Sequence, residues 1–383
     1  MIEENRVRIL HVGEYAQGGV ATYLQTILGS DTEHFSEYLI VSAEKSAHIW
    51  PLPDEHITYY SYKRGLAGVF SAIKAVCCSI RRIKPEIIYC HSTWAGVIGR
   101  LAAVCSGTKA KVVYNAHGWA FTMDVSGWKK KIYALIECFL SIKTDCIVNV
   151  SEFEYQAALD AGIPGKKMIV VYSGTEKPEK KKHKAYHLFA DDVLNLLFVG
   201  RFDPQKGLDY LMKQFLKYSN PNIHLYVVGG SVLSEDYYDD ICDERVQFLG
   251  WIPHEEMAAF YEGCDAVIMP SRWEAFGLVA IEAMKYKKPV IVSNRGALPE
   301  LIQDGYNGYV FDMEDEASLP AIFDKLDKAE LRAMGKNAYC EYRNRFTASM
   351  MRAKMAKVYR HTLAGVHHSA IVLFCDDRFR GQR

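Results

Sequence analysis

The feature that most constrains this chain is an alternation: short, continuous apolar runs of strand length recur along it, each followed by a stretch with helical periodicity. "VRILHVG" leads into "GVATYLQTILG", and "SEYLIVS", "EIIYCHS" and "KVVYNAHG" follow as further strands, with "FSAIKAVCCSIRRIK" and "AGVIGRLAAVCSG" as helices. "TDCIVNVS" then precedes the helix "EFEYQAALDAG", and "KMIVVYSG" closes the series. Runs that are apolar throughout suit strands covered on both faces, as in parallel sheets, and the regular return of helices argues for a doubly wound α/β fold. After the lysine-rich stretch "TEKPEKKKHKAYHLFADD", which reads as a linker, the alternation starts again with "LNLLFVGR", "NIHLYVVGG", "VQFLGW", "DAVIMPS", "PVIVSN" and "GYVFD". The 383 residues suffice for two domains of ordinary size. The expectation is therefore two tandem Rossmann-like domains, residues 1–185 and 186–345, with an interdomain cleft. Residues 346–383 are expected to form a C-terminal helix returning to the first domain, plus a tail. A helical run from about Glu330 to Ala364 is longer than the second sheet needs, and "SAIVLF" in the tail reads either as an added edge strand or as disordered chain.

Composition narrows the classes of function. The formal net charge is zero, so the molecule as a whole is no electrostatic binder of nucleic acid. The ten cysteines include no C-x-x-C, and most stand in apolar segments, which reads as reduced, buried thiols in a cytoplasmic protein rather than a disulfide framework or zinc site. The start, "MIEENRVRILHVG", is acidic and runs straight into a strand, unlike a signal peptide. No apolar run reaches the roughly 18 residues of a membrane span. Charge is uneven, however: residues 63 to 143 hold 13 lysines and arginines against 3 acids.

Two stretches place charged residues where parallel sheets bind ligands, in the crevice beyond the carboxyl ends of the strands. In "FVGRFDPQKGLDYLM", Arg201 follows a strand directly and Lys206 precedes Gly207 at a helix start, so two fixed cations and a helix N-terminus suit a diphosphate. In "PSRWEAFGLVAIEAM", Glu274 falls in the loop after a strand and Glu282 lies one to two turns into the next helix. A carboxylate accepts two hydroxyl donors at once, so Glu282 suits a ribose and Glu274 the hydroxyls of a second sugar. A solvated helix glutamate is the plainer reading of Glu282, but "VAIEAM" puts it inside an apolar stripe, where an unused charge would be costly. Backbone N–H groups around Phe276, Gly277, Leu278 and Val279 would point at the diphosphate. Ribose, diphosphate and hexose together make a nucleotide sugar.

These residues resemble the retaining glycosyltransferases of the GT-B fold, in particular the large family four with its E-x(7)-E signature. The resemblance reaches to about residue 364 and rests on "GGVATYL", "NAHGWAF", "VSEFEYQAAL", "VGRFDPQKGLDYLM", "VQFLGWIPHEEM" and "PSRWEAFGLVAIEAM" in that order. It implies an acceptor-side first domain and a nucleotide-sugar-binding second domain. It implies that Arg201 and Lys206 neutralise the leaving diphosphate, that Glu282 holds the ribose and that Glu274 holds the transferred sugar. Gly18 and Gly19 would face phosphates and acceptor, His117 in "NAHG" would touch the donor sugar near the reacting carbon, and the base would be read by backbone near Phe248, Trp251 and Ile252. The catalytic set is then His117, Arg201, Lys206 and Glu274. Family members often carry Asn-Gly where this chain has "YSGTE".

No D-x-D occurs in the chain, so no metal and no cofactor is expected, with the two cations doing what Mg2+ does elsewhere. Uridine is the base expected from the family, with guanosine open. Within the basic segment, "SGWKKKIYALIECFLSIK" sets Trp128, three lysines, Tyr133 and Phe139 on a helical pattern. Such a helix can lie in the interface of an anionic membrane, or pack its apolar stripe on the sheet with the lysines solvated, and both can be true of one helix. The first reading suits a cytoplasmic enzyme peripheral on the inner membrane face, acting on a glycan or polyprenyl-diphosphate-linked acceptor in surface polysaccharide or O-antigen assembly. Tandem Rossmann domains also invite a dehydrogenase, but "GEYAQGGVAT" lacks G-x-G-x-x-G. A nucleotide-sugar epimerase or hydrolase of the same fold, or a binding protein without turnover, stays open.

Overall fold

The computed structural model describes residues 6–44, 46, 49–178, 188–231, 238 and 241–366. The chain divides into two compact units, one running to Ser173 and resuming at Ala348, the other spanning Gly174–Thr347. The tail reading "SAIVLF" and the centre of the lysine-rich linker lie outside the described residues.

The first unit is a sheet of seven strands, β1 (Val7–Gly13), β2 (Phe35–Ser42), β3 (Ile57–Tyr60), β4 (Ile87–His91), β5 (Lys111–Asn115), β6 (Cys146–Asn149) and β7 (Met168–Val170). All pairings are parallel, in the order β3-β2-β1-β4-β5-β6-β7. The connecting helices are α1 (Gly18–Ile27), α2 (Leu66–Ile83), α3 (Thr93–Ser106), α4 (Gly127–Ser141) and α5 (Glu152–Asp160). Serine caps start two of them: Ser92 Oγ accepts from Ala95 N and Ser151 Oγ from Glu154 N, each satisfying a first-turn donor. One face of the sheet, with Leu10, Val12, Ile88, Cys90, Val112 and Tyr114, builds the main core. The alternate residues Ile9, His11, Tyr89, His91 and Asn115 point to the other face.

The second unit has six strands, β8 (Leu194–Val199), β9 (Ile223–Val228), β10 (Val246–Gly250), β11 (Ala266–Met269), β12 (Val290–Ser293) and β13 (Gly308–Phe311), all parallel in the order β10-β9-β8-β11-β12-β13. Its helices are α6 (Leu208–Lys217), α7 (Met257–Gly263), α8 (Leu278–Lys285), α9 (Leu298–Leu301), α10 (Ser318–Phe323) and α11 (Lys328–Arg345). Leu196, Phe198, Leu225, Val227, Ile268 and Ile291 pack with Leu211 and Phe215 of α6 into the core.

The expected alternation is thus present in both halves, and three readings change. The single helical run from Glu330 to Ala364 is two helices, α11 and α12 (Ala348–Leu363). The break at Phe346 and Thr347 is made by tertiary contacts: Phe346 is fully buried edge-on to Phe276, its carbonyl accepts from Thr175 N, and Thr347 bridges Thr175. Helix α12 belongs to the first unit, where Arg352 Nε donates to the Thr26 carbonyl and Tyr359 packs edge-on to Phe35. Strand β3 is additional. Finally, the cysteines are less uniformly buried than their neighbours suggest: Cys77, Cys90, Cys146 and Cys264 are buried, whereas Cys78, Cys105, Cys242 and Cys340 are exposed. All the described cysteines are free thiols.

Candidate active site

In a doubly wound sheet the ligand crevice opens where the strand order reverses. In the second unit that point lies between β8 and β11, since β9 follows β8 on one side and β11 adjoins it on the other. The loops leaving these two strands carry Arg201, Lys206 and Glu274, so three of the expected residues are placed at the reversal by topology alone.

The two loops are held together by contacts that account for their sequence. Gly207 has φ +69°, and a Cβ there would lie 2.0 Å from the Pro270 carbonyl oxygen, so only glycine lets α6 start against the β11 loop. Arg272 grips Asp209 of α6 through both guanidinium nitrogens at 2.7 and 2.6 Å, and its backbone N–H donates to Gln205 O at 2.8 Å. Gly296, at φ +59°, passes so close to Glu274 that a Cβ would fall 2.3 Å from its carbonyl, which accepts from Ala297 N at 3.0 Å. The Glu274 loop is therefore fixed from two sides.

Within this frame Lys206 and Glu274 form a charge-assisted hydrogen bond from Nζ to Oε1. Gln205 Nε2 stands 3.5 Å from the other Glu274 oxygen and donates to the Trp273 carbonyl at 3.2 Å. Arg201 is half exposed, with Asp203 at 2.9 Å and Gln205 Oε1 at 3.3 Å. Each of the two cations faces a carboxylate, Arg201 that of Asp203 and Lys206 that of Glu274, and Gln205 touches both Arg201 and Glu274. Gly277, at φ +108°, precedes α8, so the first N–H groups of that helix, at Leu278 and Val279, are presented toward the same loop. Phe276 is buried beneath it. Glu282, one turn into α8, is buried and accepts from the Tyr261 hydroxyl at 2.8 Å. Burial and this carboxylate push the Tyr261 phenol well above its ordinary pKa, so it stays a donor.

Phe248, Trp251 and Ile252 lie at the end of the outer strand β10, two strands from β8 and so roughly 10 Å along the sheet. The Phe248 ring is partly buried and packs against Phe202 and Tyr238 of its own unit. Trp251 is exposed and covers Gly230, where a Cβ would fall 2.6 Å from the indole nitrogen.

In the first unit the order reverses between β1 and β4. Gly18, at φ +53°, and Gly19 open α1 just beyond β1. His117 follows β5 with φ +53°, its backbone N–H held by Asn115 Oδ1 at 2.8 Å. Its ring continues a line that sequence reasoning missed: His11 Nδ1 lies 3.0 Å from His91 Nε2, and His91 Nδ1 lies 3.1 Å from His117 Nε2. Glu37 stands at the inner end, its Oε1 3.4 Å from His11 Nε2. Burial and the two flanking imidazoles hold the His91 pKa well below its usual value, and burial pulls that of His117 down to about 3. Both rings are neutral at pH 7. The available signal was a histidine inside the apolar run "RILHVG", where an unpartnered polar ring would be costly.

Among the described residues no group of three or more His, Cys, Asp or Glu is arranged to hold a metal ion, and no helix is long and apolar enough to cross a membrane. Helix α4 settles how its stripe is oriented. Trp128, Ile132, Leu135, Ile136, Phe139 and, just past its end, Ile142 are exposed, with Leu135 and Phe139 at 69% and 71%. The inward face carries Glu137, which accepts from Arg100 and from the Tyr114 hydroxyl, both at 2.8 Å. Tyr133, Ala134 and Cys138 pack against the core and Leu140 is buried, so the helix does both: one side packs on its own unit while Trp128 and Phe139 stay exposed.

A family model described as "Glycosyl transferases group 1" matches residues 179–341, and one described as "Glycosyl transferase 4-like domain" matches residues 18–174. An uncharacterized 41.2 kDa protein of the cps region of Klebsiella pneumoniae is 35% identical over 83% of this chain and 89% of its own length. The UDP-Gal:alpha-D-GlcNAc-diphosphoundecaprenol alpha-1,3-galactosyltransferase of Escherichia coli is 24% identical over 73% of this chain and 76% of its own. Among solved structures, Anabaena HepE in complex with UDP aligns with a TM-score of 0.74 at 19% identity, covering 92% of this chain and all of HepE.

Proposed function

The chain belongs to the group 1, family four glycosyltransferases of the GT-B fold, a transferase of the polysaccharide-biosynthesis type, and on that premise we propose its donor, acceptor and chemistry. The donor is a UDP-sugar, with a GDP-sugar as the variant the site would also accommodate. The acceptor is a hydroxyl of a polyprenyl-diphosphate-linked glycan, and the setting is surface polysaccharide assembly of the O-antigen kind. HepE's complex with UDP and the lipid-diphosphate acceptor in the galactosyltransferase's name support this reading.

The observation that carries it is the cluster of Arg201, Lys206 and Glu274 beside the start of α8 at the strand-order reversal. A diphosphate entering there would take Lys206 and Arg201 from their carboxylates, and Glu274, released, would accept hydroxyls of the sugar. Glu282, oriented by Tyr261, would hold the ribose. As the bond from anomeric carbon to diphosphate oxygen breaks, negative charge grows on that oxygen, and fixed cations with helix N–H groups stabilise it without reorganising. The acceptor oxygen attacks from the same face, its proton passes to the departing phosphate oxygen, and configuration is retained. No metal is called for, because two cations and a helix terminus already meet the charge.

The exposed stripe of α4, with Lys129, Lys131 and Lys143 solvated beside it, supports peripheral binding to an anionic membrane on the cytoplasmic side. The test is transfer from UDP-sugars to a polyprenyl-diphosphate disaccharide in EDTA, with the product linkage read by NMR. An elongated lipid with the donor's anomeric configuration is expected. Free sugar or an epimer formed without acceptor would favour the epimerase or hydrolase reading instead.

A further inference from the structure

Lys206 and Glu274 pair with one another, yet each meets a different part of a nucleotide sugar, Lys206 the diphosphate and Glu274 the sugar. Resting on that reading of the crevice, we propose that Glu274 makes the site selective for the intact nucleotide sugar over the nucleoside diphosphate left after transfer. Its carboxylate competes with a bare diphosphate for Lys206, and yields the ammonium only to a ligand that brings sugar hydroxyls in exchange.

The two cations of the crevice differ in how hard they are to draw away. Arg201 is half exposed, and its partner Asp203, at 2.9 Å, is also held by the loop, since Asp203 Oδ1 accepts from Lys206 N–H at 3.2 Å. Water screens such a pair, and Asp203 keeps a partner when the guanidinium turns to a ligand. Lys206 and Glu274 are largely covered. The backbone of Glu274 is pinned, with Gly296 packed against it and Ala297 N–H donating to its carbonyl at 3.0 Å. When the ammonium leaves, the described contact that stays with the carboxylate is Gln205 Nε2 at 3.5 Å, at the limit of a hydrogen bond. A covered carboxylate deprived of its cation is strongly disfavoured.

An ammonium has three donors, so Lys206 could also take a phosphate while keeping Glu274. That arrangement gathers a phosphate oxygen and a carboxylate oxygen on one nitrogen, which sets two anions within roughly 5 Å of each other, and their repulsion opposes binding as well. Either way a nucleoside diphosphate binds against Glu274. A sugar on the terminal phosphate reverses the sign. Its hydroxyls donate to the carboxylate, which is an acceptor only, and replace the hydrogen bond from the ammonium. Transfer carries those hydroxyls away and leaves a phosphate hydroxyl whose ionisation, with a pKa of about 6, adds a negative charge at neutral pH. The group that favours the donor therefore disfavours the spent nucleotide.

The experiment is titration calorimetry of the full chain, in EDTA and without acceptor, with UDP, GDP and a panel of UDP- and GDP-hexoses, on the wild type, Glu274→Gln and Glu274→Ala. The wild type is expected to bind one nucleotide sugar about tenfold more tightly than its nucleoside diphosphate. Both variants are expected to bind that nucleoside diphosphate about tenfold more tightly than the wild type does, as for one charged hydrogen bond, while the nucleotide sugar gains nothing. Alanine cannot donate to a phosphate, so tightening in Glu274→Ala comes from loss of the carboxylate alone. Nucleoside diphosphate binding that is unchanged or weaker in a folded Glu274→Ala overturns the proposal, even where Glu274→Gln binds more tightly through its amide. A wild type that holds the nucleoside diphosphate as tightly as every nucleotide sugar of the panel overturns it too, and this comparison decides alone if the variants do not fold. If neither UDP nor GDP binds the wild type or a variant, it is the nucleotide-sugar reading that fails.

Discussion

Replacing Lys206 by alanine separates what this residue does for the fold from what it does for transfer. Its ammonium is held by Glu274, and both side chains are largely covered, at 20% and 9% exposure. Without it the carboxylate keeps only Gln205, at a marginal 3.5 Å. Stranding a buried carboxylate costs about 3–5 kcal/mol, and the partial exposure of this pair, in a loop, reduces that to about 1–3. For a unit of this size the melting temperature should drop by roughly 2–10 °C. The effect on chemistry should be larger, since losing one preorganised donor to a developing anion lowers kcat by about 10²–10³. The double variant Lys206→Ala/Glu274→Gln distinguishes the two, because a neutral amide no longer needs a cation. It should recover most of the melting temperature and none of the activity. Calorimetric melting and steady-state transfer kinetics on the two variants make the comparison. A single variant with wild-type kcat would remove Lys206 from the chemistry, and a double variant melting as low as the single would show that the stranded carboxylate is not the cause.

Glu282→Gln should weaken UDP binding by roughly tenfold or more, the worth of a charged hydrogen bond, with titration calorimetry as the readout; unchanged affinity would remove Glu282 from the ribose site. Leu135→Glu/Phe139→Glu on the exposed face of α4 should abolish co-sedimentation with anionic vesicles while leaving transfer to a water-soluble acceptor intact. The neutral histidines give a pH dependence whose sign is fixed: their folded pKa values lie below the unfolded value near 6.5, so the unfolded chain takes up protons first on acidification. Stability from this source is complete above pH 6.5 and falls below it, by about 1.4 kcal/mol per histidine at pH 5.5, and His91→Gln should flatten that part of a pH–denaturation series.

The strands were legible because residues apolar on both faces leave few alternatives, and once they are placed Arg201, Lys206 and Glu274 fall in the loops beyond β8 and β11, with Glu282 inside α8. What escaped notice depends on contacts between distant residues. Strand β3 is a short edge strand, only partly buried, and carries no such run. The break between α11 and α12 has no proline or glycine to mark it; Phe346 is drawn out of the helix by Phe276, seventy residues away in sequence. His11 and His91 meet only because β1 pairs with β4 in the register that sets Gly13 beside His91. The pairing of Lys206 with Glu274 leaves no mark in the sequence, where 68 residues separate them and only the adjacency of β8 and β11 brings them together. Helix α4 shows the limit of pattern alone: its stripe fits burial and exposure equally well, and the structure divides it, with Tyr133, Ala134 and Cys138 packed inward on the side where Arg100 and Tyr114 hold Glu137, and Trp128 and Phe139 exposed.

The central claim is that this chain grips a nucleoside diphosphate through Arg201 and Lys206 without a metal. The most direct measurement is thermal stabilisation of the purified protein by UDP, GDP and NAD in EDTA, repeated with added Mg2+ and with Arg201→Ala. At a hundred times the dissociation constant a single-site ligand stabilises by about 2.7 kcal/mol. The expected result is that much stabilisation by one nucleoside diphosphate in EDTA, unchanged by Mg2+ and largely lost in Arg201→Ala. Stabilisation that requires Mg2+, that survives the loss of Arg201, or that comes from NAD alone would contradict it.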